Sequence, residues 1–142
     1  MTRSIDAAPM GPDVSIEITR PDSTAAKSIV RAYMADVASR WYGRAATPDE
    51  IDRALTDEPF DDLQGDTGIL FVATENGQPI ACAGARFTKG VAELTKVFTL
   101  PDHRNKGAGS RLLRALEEVS QERGARILRL DTRAELVEAC AL

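Results

Sequence analysis

With 142 residues, the chain is long enough for one domain with a substantial core and too short for two. Its 43% hydrophobic and 28% charged residues fit a soluble protein, and no apolar run approaches the roughly 20 residues of a membrane span. A net charge of −4 argues against a nucleic-acid binder, while one histidine and two cysteines supply neither a metal-ligand spacing nor a disulfide framework, so no metal and a reduced, cytoplasmic setting are expected.

Residues 1–13 lack the apolar stretch of a secretory signal and are expected to form a flexible tail ahead of a single domain over residues 14–142. The segment "VSIEIT" (14–19) alternates as a strand does. Asp22 is placed to cap a helix in which Ile29, Val30, Tyr33, Val37 and Trp41 recur at helical spacing. Thr47 begins a second helix: Pro48 suits its first turn, and Glu50 lies three residues on, as a capping box requires.

Charge is unevenly spread. Residues 1–66 carry 7 basic and 13 acidic side chains, whereas residues 67–142 carry 11 and 9. The acidic excess peaks over residues 48–66, where eight carboxylates surround Arg53. Two readings stand side by side: a solvated loop, or a rim that concentrates a cationic amine, since a cleft of one charge sign gathers the opposite sign.

The stretch from Gly68 to Leu100 reads as three strands of an antiparallel meander, with Asn76-Gly77 and Lys89-Gly90 as its hairpin turns. Its last strand, ending "VFTL", stops at Pro101. Gly107, Ala108 and Gly109 follow, and then Leu112, Leu113, Leu116 and Val119 mark a helix over residues 108–123 that Gly124 ends. "ARILRLDT" is a fifth strand, and another helix is expected from Glu135.

A strand, a glycine turn and a helix start together make an anion site. The first amides of a helix lack intrahelical partners and carry a partial positive charge, and glycine lets a phosphate approach the backbone. Arg104, Lys106 and Arg111 bring cations to the same turn. The physics predicts a bound pyrophosphate or similar group at residues 104–110. A P-loop would need Lys and Ser/Thr after the second glycine, and a dinucleotide fold a third glycine. Here Ser110, Arg111 and Leu112 follow Gly109, and no magnesium-coordinating set for a nucleotide is found.

Arg104-x-x-Gly107-x-Gly109, set between a strand and an amphipathic helix, resembles the acetyl-CoA loop of the GNAT superfamily of N-acetyltransferases. The resemblance runs from about Val14 to the end of the chain and implies an α/β (α+β) fold, a mixed and mostly antiparallel sheet flanked by helices. It implies acetyl-CoA as co-substrate, with Arg104, Asn105, Lys106, Gly107, Ala108, Gly109 and Ser110 at its pyrophosphate. The fourth and fifth strands would splay apart, and the backbone of Val97, Phe98 and Thr99 would pair with the pantetheine arm as an added strand does.

Glu93 is the expected general base. It stands four residues before Val97, and a strand period of two places both on one face. The alternatives are a glutamate that orients substrate or water, or a plain exposed strand residue. The family's proton-donating tyrosine would follow Leu142, so the acid is unassigned and the final strands are expected to be missing. An uncovered fifth-strand edge would invite a homodimer. Two functions follow: an enzyme that acetylates a primary amine of a small molecule or protein, or a catalytically weak acyl-CoA-binding or regulatory domain.

Overall fold

The computed structural model describes residues 14–130. The chain opens with β1 (Val14–Ile18), then α1 (Thr24–Tyr42) and α2 (Pro48–Asp57), then β2 (Gly68–Glu75), β3 (Gln78–Thr88) and β4 (Val91–Thr99). A 3-10 turn (Pro101–His103), α3 (Ala108–Glu122) and β5 (Ile127–Leu130) complete it. The strands form one sheet in the order β1-β2-β3-β4-β5, antiparallel except for the parallel pair β4 and β5. That is the mixed, mostly antiparallel sheet expected. The helix predicted from Glu135 and the end of the fifth-strand segment lie outside the described residues.

Local chemistry accounts for most boundaries. Both hairpins turn through two residues of positive φ, Asn76-Gly77 and Lys89-Gly90, as a type I′ connection demands. The capping box at Thr47 and Glu50 is complete, and Gly43 ends α1 in the left-handed region. The cap of α1 differs from expectation. Ser23, not Asp22, accepts the Ala26 amide at 3.1 Å, because the Asp22 carboxylate is held by Arg20 through two hydrogen bonds of 3.0 Å.

Two cores sandwich the sheet. On one face α1 lays Ile29, Val30, Tyr33 and Met34 against Leu70, Val72, Cys82 and Phe98. On the other, α3 sets Leu112, Ala115 and Leu116 against Phe71, Ala83, Ala85 and Val97. Trp41 does not join the first core. By spacing it continues the buried stripe of α1, but it lies at the last turn and is 82% exposed. On β5, Ile127 and Leu128 are also exposed.

The middle of β4 departs from a regular strand. Gly84 pairs with Thr95 and Cys82 with Phe98, so Ala83 alone stands opposite Lys96 and Val97. This is a β-bulge with one extra residue on β4, and Lys96 takes a left-handed φ of +56°. Gly84, next to the bulge on β3, is tightly enclosed: a Cβ there would sit 2.9 Å from Leu63 Cδ1 and 3.1 Å from the Ile69 carbonyl. The described part of β5 pairs with residues 91–94 of β4 only. Beyond the bulge, residues 95–99 have no strand on that side among the described residues.

Candidate functional site

The end of β4 delivers the chain into the glycine turn. Asn105 and Gly107 adopt φ values of +63° and +94°, and Gly107 caps α3 without a side chain to offer. The first intrahelical bond runs from the Arg111 amide to the Gly107 carbonyl at 3.1 Å. The amides of Ala108, Gly109 and Ser110 precede it and so lack intrahelical acceptors, at the positive end of the helix dipole. No acidic residue stands in that first turn. Gly107, Gly109 and Ser110 share a small pocket with Thr99, His103, Arg104 and Asn105.

Thr99 adds an independent sign. Its side chain is buried, and its Oγ1 has no hydrogen-bond partner among the described residues. A buried hydroxyl without a partner costs on the order of 1–3 kcal/mol. Because Thr99 lines the pocket, a ligand atom there is within the reach of that hydroxyl's unused hydrogen-bonding capacity.

The three cations are not equivalent. Lys106 is exposed on the turn. Arg104 folds back along β4: its Nε donates to the Thr99 carbonyl at 2.9 Å, and its guanidinium carbon lies 5.8 Å from the Phe98 ring centre. Arg111 is buried in α3, because its position on the helix falls on the stripe that faces the sheet. The expectation of a third cation on the rim of the turn is therefore corrected.

Val97, Phe98 and Thr99 all have buried side chains, but they point apart. Val97 packs in the α3 core, and Phe98 enters the α1 core, edge-on to Tyr33 with ring centres 5.6 Å apart. The side chains of Val97 and Phe98 are spent on packing, which leaves their backbone as the part a ligand can address.

Glu93 does not share a face with Val97. Ladder partners share a face, and Glu93 pairs with Arg86 while Phe98 pairs with Cys82 of the α1 core. The extra residue at the bulge reverses the alternation between Glu93 and Val97, so a count of two fails across it. Glu93 therefore looks toward the α1 and α2 side. Its carboxylate lies 3.5 Å from the Arg129 guanidinium, whereas Arg86 is committed to Asp62 at 2.8 Å.

Two residues escaped sequence reasoning. Lys96 is 1% exposed, with its ammonium 5.9 Å from the Tyr33 ring centre and its carbonyl accepting from the Cys82 thiol. Nothing in "LTKVF" signals a buried lysine, since the bulge that turns it inward depends on β3. His103 lines the small pocket at the head of α3, and its Nδ1 is 3.3 Å from the Glu75 carboxylate on β2. Its place directly before Arg104 was the available hint.

The acidic stretch resolves into separate uses. Asp52 bonds Arg31, Asp62 bonds Arg86, and Glu50 is gripped by Arg44 at 2.8 and 2.9 Å. That grip, with the Thr47 amide, pulls the Glu50 carboxyl down to about 2. Asp57 and Glu58, with Glu50, Arg40 and Arg53, border a groove of about 520 Å³ between α1 and α2, with Met34, Val37, Trp41 and Tyr42 among its apolar walls. The groove and Glu93 lie on the same side of the sheet.

Among the described residues no helix is long and apolar enough to cross a membrane, and no cluster of metal-ligating side chains occurs. The profile of the acetyltransferase (GNAT) family matches residues 33–142. No curated protein sequence matches the chain. Solved structures share its fold. A Klebsiella pneumoniae protein provisionally named an acyl-CoA N-acyltransferase is 22% identical with a TM-score of 0.66, over 90% of this chain and 77% of that one. The acetyltransferase AAC(6')-Iy, in complex with the bisubstrate analogue CoA-S-monomethyl-acetylneamine, is 22% identical with a TM-score of 0.57, over 91% and 86%. Glucosamine-6-phosphate N-acetyltransferase from Arabidopsis thaliana is 16% identical with a TM-score of 0.53, over 92% of each chain.

Proposed function

The chain belongs to the acetyltransferase (GNAT) family, and on that premise we propose that it transfers the acetyl group of acetyl-CoA to a primary amine. The observation that carries this reading is the head of α3: amides without intrahelical acceptors, a glycine cap, and the buried, unpartnered hydroxyl of Thr99 in one pocket. That is a cradle for the pyrophosphate, and the residues present fit it. Acetyl-CoA, when bound, supplies the acetyl group as a thioester.

The chain's own residues would divide the remaining work. Asn105, Lys106, Gly107, Ala108, Gly109 and Ser110 hold the pyrophosphate, chiefly through backbone amides. Arg104 braces the end of β4 through the Thr99 carbonyl, so it acts on the cradle's shape more than on the ligand's charge. The backbone of Val97, Phe98 and Thr99, on the side that no described strand covers, pairs with the pantetheine arm.

The amine must arrive neutral. A lysine-type ammonium has an ordinary pKa near 10.4, so its deprotonation at neutral pH costs on the order of 4–5 kcal/mol. Glu93 faces the α1 and α2 side, where the groove carries three carboxylates, Glu50, Asp57 and Glu58, against Arg40 and Arg53, and its apolar walls suit an amine with an apolar body. We assign Glu93 the removal of that proton. The amine nitrogen then bonds to the acetyl carbon as the carbon–sulfur bond breaks; the nitrogen gives up one further proton to form the neutral amide, and the departing CoA thiolate takes up one proton to leave as the thiol.

A second reading has its own support. Glu93 sits beside Arg129, 3.5 Å from its guanidinium, so its carboxylate already has a cationic partner. A domain that binds acyl-CoA without rapid turnover would look the same at the head of α3. Calorimetry with acetyl-CoA and CoA-release assays over a panel of primary amines separate the two. Binding with turnover on some amine supports the enzyme; binding with none across the panel supports the binding domain; no binding overturns both.

A further inference from the structure

We infer that His103 is an additional ligand of the CoA pyrophosphate, and that Glu75 makes its contribution depend on pH. The inference rests on the reading of the glycine turn as a pyrophosphate site.

His103 closes the 3-10 turn, its amide bonded to the Leu100 carbonyl at 2.9 Å. Its ring forms part of the same pocket wall as Arg104, Asn105, Gly107 and Gly109. Its side chain is 27% exposed, enough for a ligand to reach it while most of it is shielded from water. The carboxylate of Glu75, from the end of β2, stands 3.3 Å from Nδ1. The other charged groups on the elements that meet here are Asp102, Arg104 and Lys106 on its own turn and Arg111 from α3. Of these side-chain types, only imidazole ordinarily changes charge between about pH 5 and 8.

The pairing with Glu75 decides what the ring shows to the pocket. A carboxylate accepts hydrogen bonds and donates none, so it holds a proton on Nδ1. A neutral ring with its proton on Nδ1 presents a bare lone pair at Nε2. A lone pair repels a phosphate oxygen. A second proton converts Nε2 into a donor and makes the ring a cation, with Nδ1 still beside the Glu75 carboxylate. A charge-assisted hydrogen bond of that kind is roughly twice as strong as a neutral one. Anion binding at His103 therefore carries a proton with it, and affinity rises as pH falls.

The test is calorimetric titration of the full chain with dephospho-CoA, from about pH 8 down to about pH 5.5. This ligand keeps the pyrophosphate but lacks the terminal phosphate, whose second ionisation near 6 would confuse the profile. Wild-type affinity should rise roughly ten-fold over that range, with proton uptake seen as a dependence of heat on buffer ionisation. His103→Gln should bind with a flat profile. Glu75→Ala frees the neutral ring to carry its proton on Nε2, so its affinity at the high end should rise and its slope shrink. An equal slope in wild type and His103→Gln would overturn the role of His103, while binding itself left the site intact. No binding by wild type at any pH would overturn the reading of the site, and this inference with it.

Discussion

Glu93 and Phe98 lie on one face of the sheet, because the bulge at Lys96 inserts a residue into β4 between them. Glu93 thus faces the side of α1 and α2, opposite to Val97 and α3. The relation decides from which side a base on β4 would meet its amine.

Replacing Glu93 by Gln keeps the shape and removes the charge. Turnover at neutral pH should fall ten-fold or more, near the lower end of what a general base supplies, roughly a hundred-fold to ten-thousand-fold. The deficit should narrow as pH rises and neutral amine becomes abundant. Affinity for acetyl-CoA should stay unchanged, since Glu93 lies away from the head of α3. Wild-type turnover at all pH values would reduce Glu93 to a strand residue.

Gly109→Glu places bulk and a negative charge among the free amides that open α3. Calorimetry should find binding of CoA abolished, with the thermal unfolding of the chain little altered. Retained affinity would remove the pyrophosphate from this turn.

Phe98 joins β4 to α1 through Tyr33 and lies under the Arg104 guanidinium. Phe98→Ala should cost about 3–5 kcal/mol by urea unfolding, as for other buried aromatics. It should also weaken CoA binding, because Arg104 loses the ring it rests on. A loss below about 1 kcal/mol would mean that the two cores do not depend on this contact.

Glu50 predicts how stability varies in acid. Its folded-state carboxyl is held down at about 2 by Arg44 first and the Thr47 amide second. A depressed value means that the contribution is present above the ordinary carboxylate range, about 4.3, and is lost as pH falls toward 2. Glu50→Gln, which can still cap, should therefore melt below wild type at pH 7, and the gap should close in acid. A constant gap in melting temperature across that range would show that Arg44 adds nothing through charge.

Much of this molecule was legible in its residues, wherever the cause is local. Asn76-Gly77 and Lys89-Gly90 must turn with positive φ, Thr47 and Glu50 cap each other within one helical turn, and Gly107 starts α3 where no side chain could cap it. Such features depend on neighbours a few residues away, so the order of elements and the glycine turn that heads α3 followed from sequence alone. Tertiary structure decided the rest. The bulge at Lys96 exists only in register with β3, and it reversed the face of Glu93. Arg104 turns back because the Thr99 carbonyl and the Phe98 ring are within reach, and Trp41 is exposed because the last turn of α1 leaves it outside the core. His103 meets Glu75 only because folding brings the end of β2 beside the turn after β4. Spacing along a chain records local geometry; contacts between strands, and the charges they join, exist only once the sheet has formed.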